Sequence, residues 1–301
     1  MKRDSQLTAH LAVLGANLIY GANYSIAKKV MPEYIQAFGF IFIRVAFTAV
    51  VFYLLGSFVR NEKVTRRDHM RLFLCAVTGV ALNQLLFFKG LDLTRPINAA
   101  LMMTTNPIMV LVAASLIIGE KITAKKVLGI VIGIIGASFL IVFGKTGSLG
   151  QGNTMGDLMV LINSLSFAIF LIIVKPLMSR YHTFTVMKWV FLYGLLLVTP
   201  FGLQEFMTAR WNDMQSTQWW AVGYVVIAVT GLAYLFNTYA LGRLSPSSVS
   251  IYIYLQPVFA TMFAILFGED NPEWLHLAAA GLIFTGVYLV THRTKPAEIA
   301  A

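Results

Sequence analysis

Apolar residues along this chain gather into ten runs of 18 to 23 residues, at 7–27, 35–57, 71–90, 97–118, 126–143, 156–174, 184–203, 218–240, 247–267 and 274–292. Each run is long enough to cross the hydrocarbon of a bilayer as a helix, at roughly 20 residues per crossing. None alternates polar and apolar residues with a period of two, as a barrel strand does, and a helix satisfies its own backbone hydrogen bonds in lipid. The pattern predicts an all-α polytopic membrane protein, ten transmembrane helices joined by short connections that hold most of the charge. The first run is interrupted by Asn17, Tyr20 and Asn23 and no small-x-small cleavage site follows it, so it reads as a retained span rather than a removed signal.

The runs also repeat. Arg95-Pro96-Ile97-Asn98-Ala99-Ala100, leading to Asn106-Pro107, has a counterpart in Ser245-Pro246-Ser247-Ser248-Val249-Ser250, leading to Gln256-Pro257, and both proline pairs are 150 residues apart. Gly136 and Gly286 keep that spacing, Gly119-Glu120 and Gly268-Glu269 are one residue out of step, and Asn17 in the first run matches Asn163 in the sixth. Self-similarity of this kind marks two copies of a five-helix unit, 7–143 and 156–292, with 144–155 as linker. Five is odd, so the second copy enters the membrane from the opposite side, and a pseudo-two-fold axis in the membrane plane relates the two. Loop charge agrees: Lys121, Lys125 and Lys126 follow the fourth run, whereas Glu269, Asp270 and Glu273 follow the ninth. Inverted repeats are a signature of secondary transporters.

Composition narrows the class. Of 301 residues 58% are apolar and 12% charged, with a mean hydropathy of +0.74, against roughly 45–50% and 25% in soluble domains; a water-soluble protein is excluded. The formal charge of +10 would raise the question of nucleic acid in a soluble domain. Here the basic residues collect on one side: with the N-terminus inside, 16 of the 23 fall in cytoplasmic loops and 6 outside. That bias places both termini in the cytoplasm of a multi-pass protein of the cytoplasmic membrane, and makes the lipid bilayer the partner, with no role for nucleic acid. The single cysteine, Cys75, lies inside an apolar run and excludes an intramolecular disulfide or a multi-cysteine metal site.

The stretch Gly90-Leu91-Asp92-Leu93-Thr94-Arg95-Pro96-Ile97-Asn98-Ala99-Ala100, with Asn106-Pro107 and Gly119-Glu120-Lys121 after it, resembles the EamA-type repeat of the drug/metabolite transporter superfamily. The second copy, Tyr239-Ala240-Leu241-Gly242-Arg243-Leu244-Ser245-Pro246 through Gln256-Pro257 to Gly268-Glu269, resembles it more closely still. The resemblance covers nearly the whole chain and implies ten helices, cytoplasmic termini and export or exchange of small metabolites such as amino acids. Two positions depart from it: Tyr20-Gly21 stands where many members have Trp-Gly, and Gln256 where many have Glu before the proline.

Polar residues within the apolar runs are the candidate substrate-binding set. Asn106-Pro107 and Gln256-Pro257 lie about ten residues into their runs, roughly 15 Å at the helical rise and so near the midplane. Each proline lacks the N–H that would bond the carbonyl four residues earlier, freeing those of Met103 and Ile253. Pro107 and Pro257 therefore read as hinges in a cavity wall, or as kinks sealed by a neighbouring hydroxyl. Asn17, Asn106, Asn163 and Gln256 are amides at similar depth, expected to face one another or water. Tyr20, Asn23, Gln84, Tyr234, Tyr252 and Tyr254 add donors and aromatic faces. Arg44 is the one charge deep in a run; no mid-run Asp or Glu neutralises it, and its guanidinium suits a carboxylate or phosphate on a substrate, or helix carbonyls.

Absences bear on mechanism. No Asp, Glu or His lies at mid-depth to relay protons, and no Ser–His pair, aspartate pair or metal set within the runs supports an enzyme. There is no Gly-x4-Gly-Lys-Ser/Thr loop for ATP, and no cofactor is expected. Gly129, Gly133 and Gly136 point to close helix packing, which makes the fifth and tenth runs candidates for scaffold or homodimer contact. The expectation is a secondary transporter, an exporter or exchanger that moves a small polar metabolite such as an amino acid by alternating access. A channel-like or non-transporting membrane protein and a proton-coupled drug exporter are the alternatives.

Overall fold

The structure, a computed structural model, describes residues 2–27, 30, 33–58, 62–93, 102–143, 154–266 and 274–291. The motif at 95–100, linker residues 144–153 and the acidic stretch at 268–273 lie outside the described residues. Ten helical rods account for most of what is described. The first five are α1 (Lys2–Ala27), α2 (Ala37–Phe58), α3 (Arg66–Ala76, a π-helical stretch Val77–Ala81, then Leu82–Leu93), α4 (Asn106–Ile118) and α5 (Ala124–Phe143). The second five are α6 (Thr154–Met178), α7 (Thr183–Met207), α8 (Ser216–Tyr224, a π-helical stretch Val225–Leu232, then Ala233–Leu241), α9 (Pro246–Ser250, a 3-10 turn Ile251–Tyr254, then Leu255–Leu266) and α10 (Trp274–Thr291). Among the described residues there is no strand, and α2, α3, α6, α7 and α8 are long and apolar enough to cross a membrane.

Local chemistry sets the ends. Thr65 caps α3, its hydroxyl accepting from the Asp68 amide at 3.2 Å, and Ser245 does the same for Ser248 at the start of α9, where Pro246 needs no N–H. Gly119 ends α4 with φ +68°, a left-handed conformation that suits glycine.

The fourth and ninth runs are not continuous helices kinked at proline. A turn at Thr104-Thr105 precedes Asn106, so Pro107 falls in the first turn of its helix, where the missing N–H has no partner to lose. The Thr105 hydroxyl donates to the Met102 carbonyl at 2.6 Å. In α9 the 3-10 turn at Ile251–Tyr254 precedes the segment that carries Pro257.

Four packing relations build the bundle. α2 lies along α7, α5 along α10, α1 between α8 and α9, and α6 between α3 and α4. The α2–α7 seam is aromatic, with the Phe52 ring centroid 5.5 Å from that of Phe191 and Phe42 5.3 Å from Phe206. At the α5–α10 crossing the backbones approach so closely that a Cβ on Gly286 would meet the Gly129 carbonyl at 2.6 Å, and one on Gly136 the Ala279 carbonyl at 3.0 Å. The outward faces are apolar: Leu116 is 81% exposed, Leu196 71% and Leu277 77%. Water would penalise such a surface, and lipid does not.

Candidate functional site

Arg44 lies on the inward face of α2 and is only 6% exposed. Its Nε donates to Thr230 Oγ1 at 2.9 Å, and the Thr230 hydroxyl donates in turn to the Val225 carbonyl at 2.9 Å. Both groups belong to the π-helical stretch of α8, a local widening often found at functional sites. Two rings flank the guanidinium, Phe40 one turn back on α2 and Phe88 on α3, with centroids 5.9 and 5.5 Å from Cζ, within cation–π range.

The phenols of Tyr20 on α1 and Tyr234 on α8 are close enough to act on Arg44 electrostatically. Tyr20 accepts from Asn237 Nδ2 at 3.5 Å, and Tyr234 donates at 2.9 Å to the carbonyl of Gly79 in the π-helical stretch of α3. Gln84 is buried with its amide beside the Tyr234 phenol, and neither atom of that amide makes a hydrogen bond of normal geometry. Buried oxygens of Thr48, one turn beyond Arg44, and of Asn23, one turn beyond Tyr20, are likewise unpartnered. No carboxylate pairs with Arg44 among the described residues: the ion pairs found are those of Asp68 with Arg71 and Arg180, Glu120 with Lys126, and Asp213 with Arg210.

The four mid-depth amides do not form one cluster. Gln256 Nε2 donates to Asn17 Oδ1 at 2.9 Å, and Asn17 Nδ2 donates to Val13 O of its own helix at 2.8 Å. Across the bundle, Asn163 Nδ2 donates to the Asn83 carbonyl and Asn106 Nδ2 to that of Ser164 at 2.8 Å; both Oδ1 atoms are buried and unpartnered. Tyr254 donates to the Thr104 carbonyl at 2.9 Å, so a hydroxyl does seal the break before Asn106, at Thr104 rather than at Met103. Tyr252, one turn before Gln256, is hydrogen-bonded to His10 Nδ1 on α1 at 2.8 Å.

The structure thus brings Tyr20, Arg44, Gln84 and Tyr234 together, pairs Asn17 with Gln256, sets Asn106 and Asn163 beside neighbouring backbone, and ties Tyr252 to His10 on α1. Sequence reading missed Thr230, Asn237, Thr48 and Phe88. A signal existed: Thr230, Tyr234 and Asn237 fall at helical spacing and form a polar stripe in an apolar run. Among the described residues no group of three or more His, Cys, Asp or Glu side chains is placed to hold a metal.

The ends of the bundle are tied separately. Arg180 and Tyr181, after α6, reach Asp68 at the start of α3 at 3.2 and 2.9 Å. Lys175 Nζ donates to the carbonyls of Leu241 and, at 2.6 Å, Leu244, closing the C-terminus of α8.

These features define a multi-pass helical membrane protein with its polar groups gathered inside the bundle. A solved crystal structure shares that fold, with a TM-score of 0.78 over 94% of this chain and 96% of its own at 17% identity. The model of the EamA-like transporter family matches residues 7–142 and 154–292, and the chain belongs to that family. An uncharacterized transporter of Bacillus subtilis, YetK, is 22% identical over 292 residues, covering 96% of this chain and 86% of that protein. A protein of Streptantibioticus cattleyicolor named "Probable terminal-alkyne amino-acid exporter" is 26% identical over 231 residues, 76% of this chain and 75% of its own length.

Proposed function

We propose that this chain is a secondary transporter, an exporter or exchanger of a small polar metabolite of about amino-acid size. It works by alternating access between two inverted five-helix units, with both termini in the cytoplasm. The observation that carries this reading is an exchange symmetry in the packing. Stepping five helices along the chain turns α1 into α6, α3 into α8 and α4 into α9; the contacts of α1 with α8 and α9 then become those of α6 with α3 and α4. α2 pairs with its own counterpart α7, and α5 with α10.

Finer features support the same operation. π-helical stretches interrupt α3 and α8, and breaks precede the proline segments of α4 and α9. The hydrogen bond from Tyr254 to Thr104 joins positions 150 residues apart, the repeat spacing itself, as a contact on the axis must. Two units of one pattern, each able to take the other's conformation, supply inward and outward openings of a single site. The relative named "Probable terminal-alkyne amino-acid exporter" supports the size class of the cargo.

The test is counterflow by the purified full-length chain in liposomes, using a mixed pool of labelled amino acids and organic acids, with and without a pH gradient. Saturable counterflow that ignores the gradient is expected. Flux that rises linearly with concentration would mean a channel, gradient-driven accumulation would mean proton coupling, and no flux from the whole pool would remove transport.

A further inference from the structure

We propose that the cluster around Arg44 is an anion site, and that the cargo is a monocarboxylate with a ring-sized apolar body, taken in preference to a zwitterion of the same shape. A guanidinium sealed in a bundle without a counter-ion is costly, because its lost hydration is not repaid by an opposite charge. Every group described around Arg44 is neutral: hydroxyls of Thr230, Tyr20 and Tyr234, the Gln84 amide, and the rings of Phe40 and Phe88. A ligand with one net negative charge balances the site. A zwitterion brings an ammonium into a cluster where no described acidic side chain receives it, and a phosphate dianion overcompensates.

Geometry specifies the acceptor. With Nε held by Thr230, the two terminal nitrogens of the fork remain for a planar carboxylate, which guanidinium binds through two parallel hydrogen bonds. The Gln84 amide beside Tyr234 and the Thr48 hydroxyl one turn beyond Arg44 are further buried polar groups without a hydrogen bond of normal geometry. Phe40 and Phe88 give the site apolar walls, which suit a ring or branched alkyl body better than a second polar group. The movement of this ligand rests on the transporter reading; its binding does not.

The experiment uses the purified full-length chain in detergent and four probes: 3-phenylpropanoate, its neutral amide 3-phenylpropanamide, the zwitterion L-phenylalanine, and phenyl phosphate. The readout is the thermal unfolding midpoint as a function of probe concentration. The carboxylate should half-saturate at a concentration about tenfold or more below the other three, as charge-assisted pairing implies. Arg44→Gln should erase the preference for the acid over its amide, and Arg44→Lys should keep part of it. Equal response to acid and amide, a preference for the zwitterion or the phosphate, or no response to the acid overturns the proposal. If Arg44→Gln does not yield monodisperse protein, discrimination among the four probes by the unaltered chain decides alone. Counterflow of labelled 3-phenylpropanoate together with the metabolite pool separates the two readings: selective binding without flux of any of them keeps the anion site and removes transport, whereas counterflow of other metabolites with no carboxylate preference does the reverse.

Discussion

Thr230 does two things with one hydroxyl, accepting from Arg44 Nε and donating to the Val225 carbonyl. It therefore anchors the guanidinium at one of its three nitrogens. Thr230→Val keeps the shape and removes both bonds, leaving a buried donor unmet at a cost of about 1–3 kcal/mol. The expected result in counterflow is a KM raised roughly tenfold or more, with Thr230→Ser close to the parent; equal loss in both variants would assign Thr230 to packing. A second residue-scale prediction concerns the amides. Gln256→Leu strands Asn17 Oδ1, and Asn106→Leu removes the bond to Ser164; each should abolish transport while leaving membrane insertion intact, since such bonds contribute only about 1 kcal/mol in a membrane. Normal transport by both would place these amides outside the cargo's path. Depth in an apolar run was enough to single out Arg44, Asn17 and Gln256 from sequence. Thr230 was not legible that way, because a threonine inside a helix commonly bonds its own backbone, and its second partner is 186 positions away.

Helices five and ten show what a glycine pattern can and cannot convey. Gly129, Gly133 and Gly136 announce a close approach in the sequence, and the partners prove to lie in the same chain: α10 for Gly129 and Gly136, and the Tyr254 ring of α9 for Gly133. Spacing alone could not choose between that and a second copy, since both need the same flat face. Gly286→Val would push a side chain into the Gly129 carbonyl and Gly133 backbone, at 2.6 and 2.9 Å for the Cβ alone. Overpacking of this kind costs about 1–3 kcal/mol, read as a lowered unfolding midpoint in detergent. Probe selectivity should persist in the folded fraction, because α5 and α10 contribute none of the groups around Arg44. Lost selectivity at unchanged midpoint would mean that this crossing shapes the site. The broken helices were half legible: proline marked the place, but whether a proline kinks a helix or starts a new one depends on tertiary partners such as the Tyr254 hydroxyl.

At the scale of the whole molecule, an uncompensated cation inside the bundle has a consequence for the proposed transport cycle. Alternating access requires the site to close from one side before it opens to the other. Closing it empty strips water from Arg44 and provides no anion, whereas closing it loaded buries a neutral ion pair; the first barrier is the higher. The protein should therefore exchange faster than it releases. In liposomes preloaded with labelled 3-phenylpropanoate, adding the unlabelled acid outside should speed efflux roughly tenfold, the equivalent of about 1.4 kcal/mol in barrier height. Arg44→Gln, which removes the charge, should bring the two rates together even where its overall rate is lower. Efflux indifferent to external acid in the unaltered chain would mean that the empty site closes as readily as the loaded one, and that Arg44 meets its counter-charge within the protein during the return step.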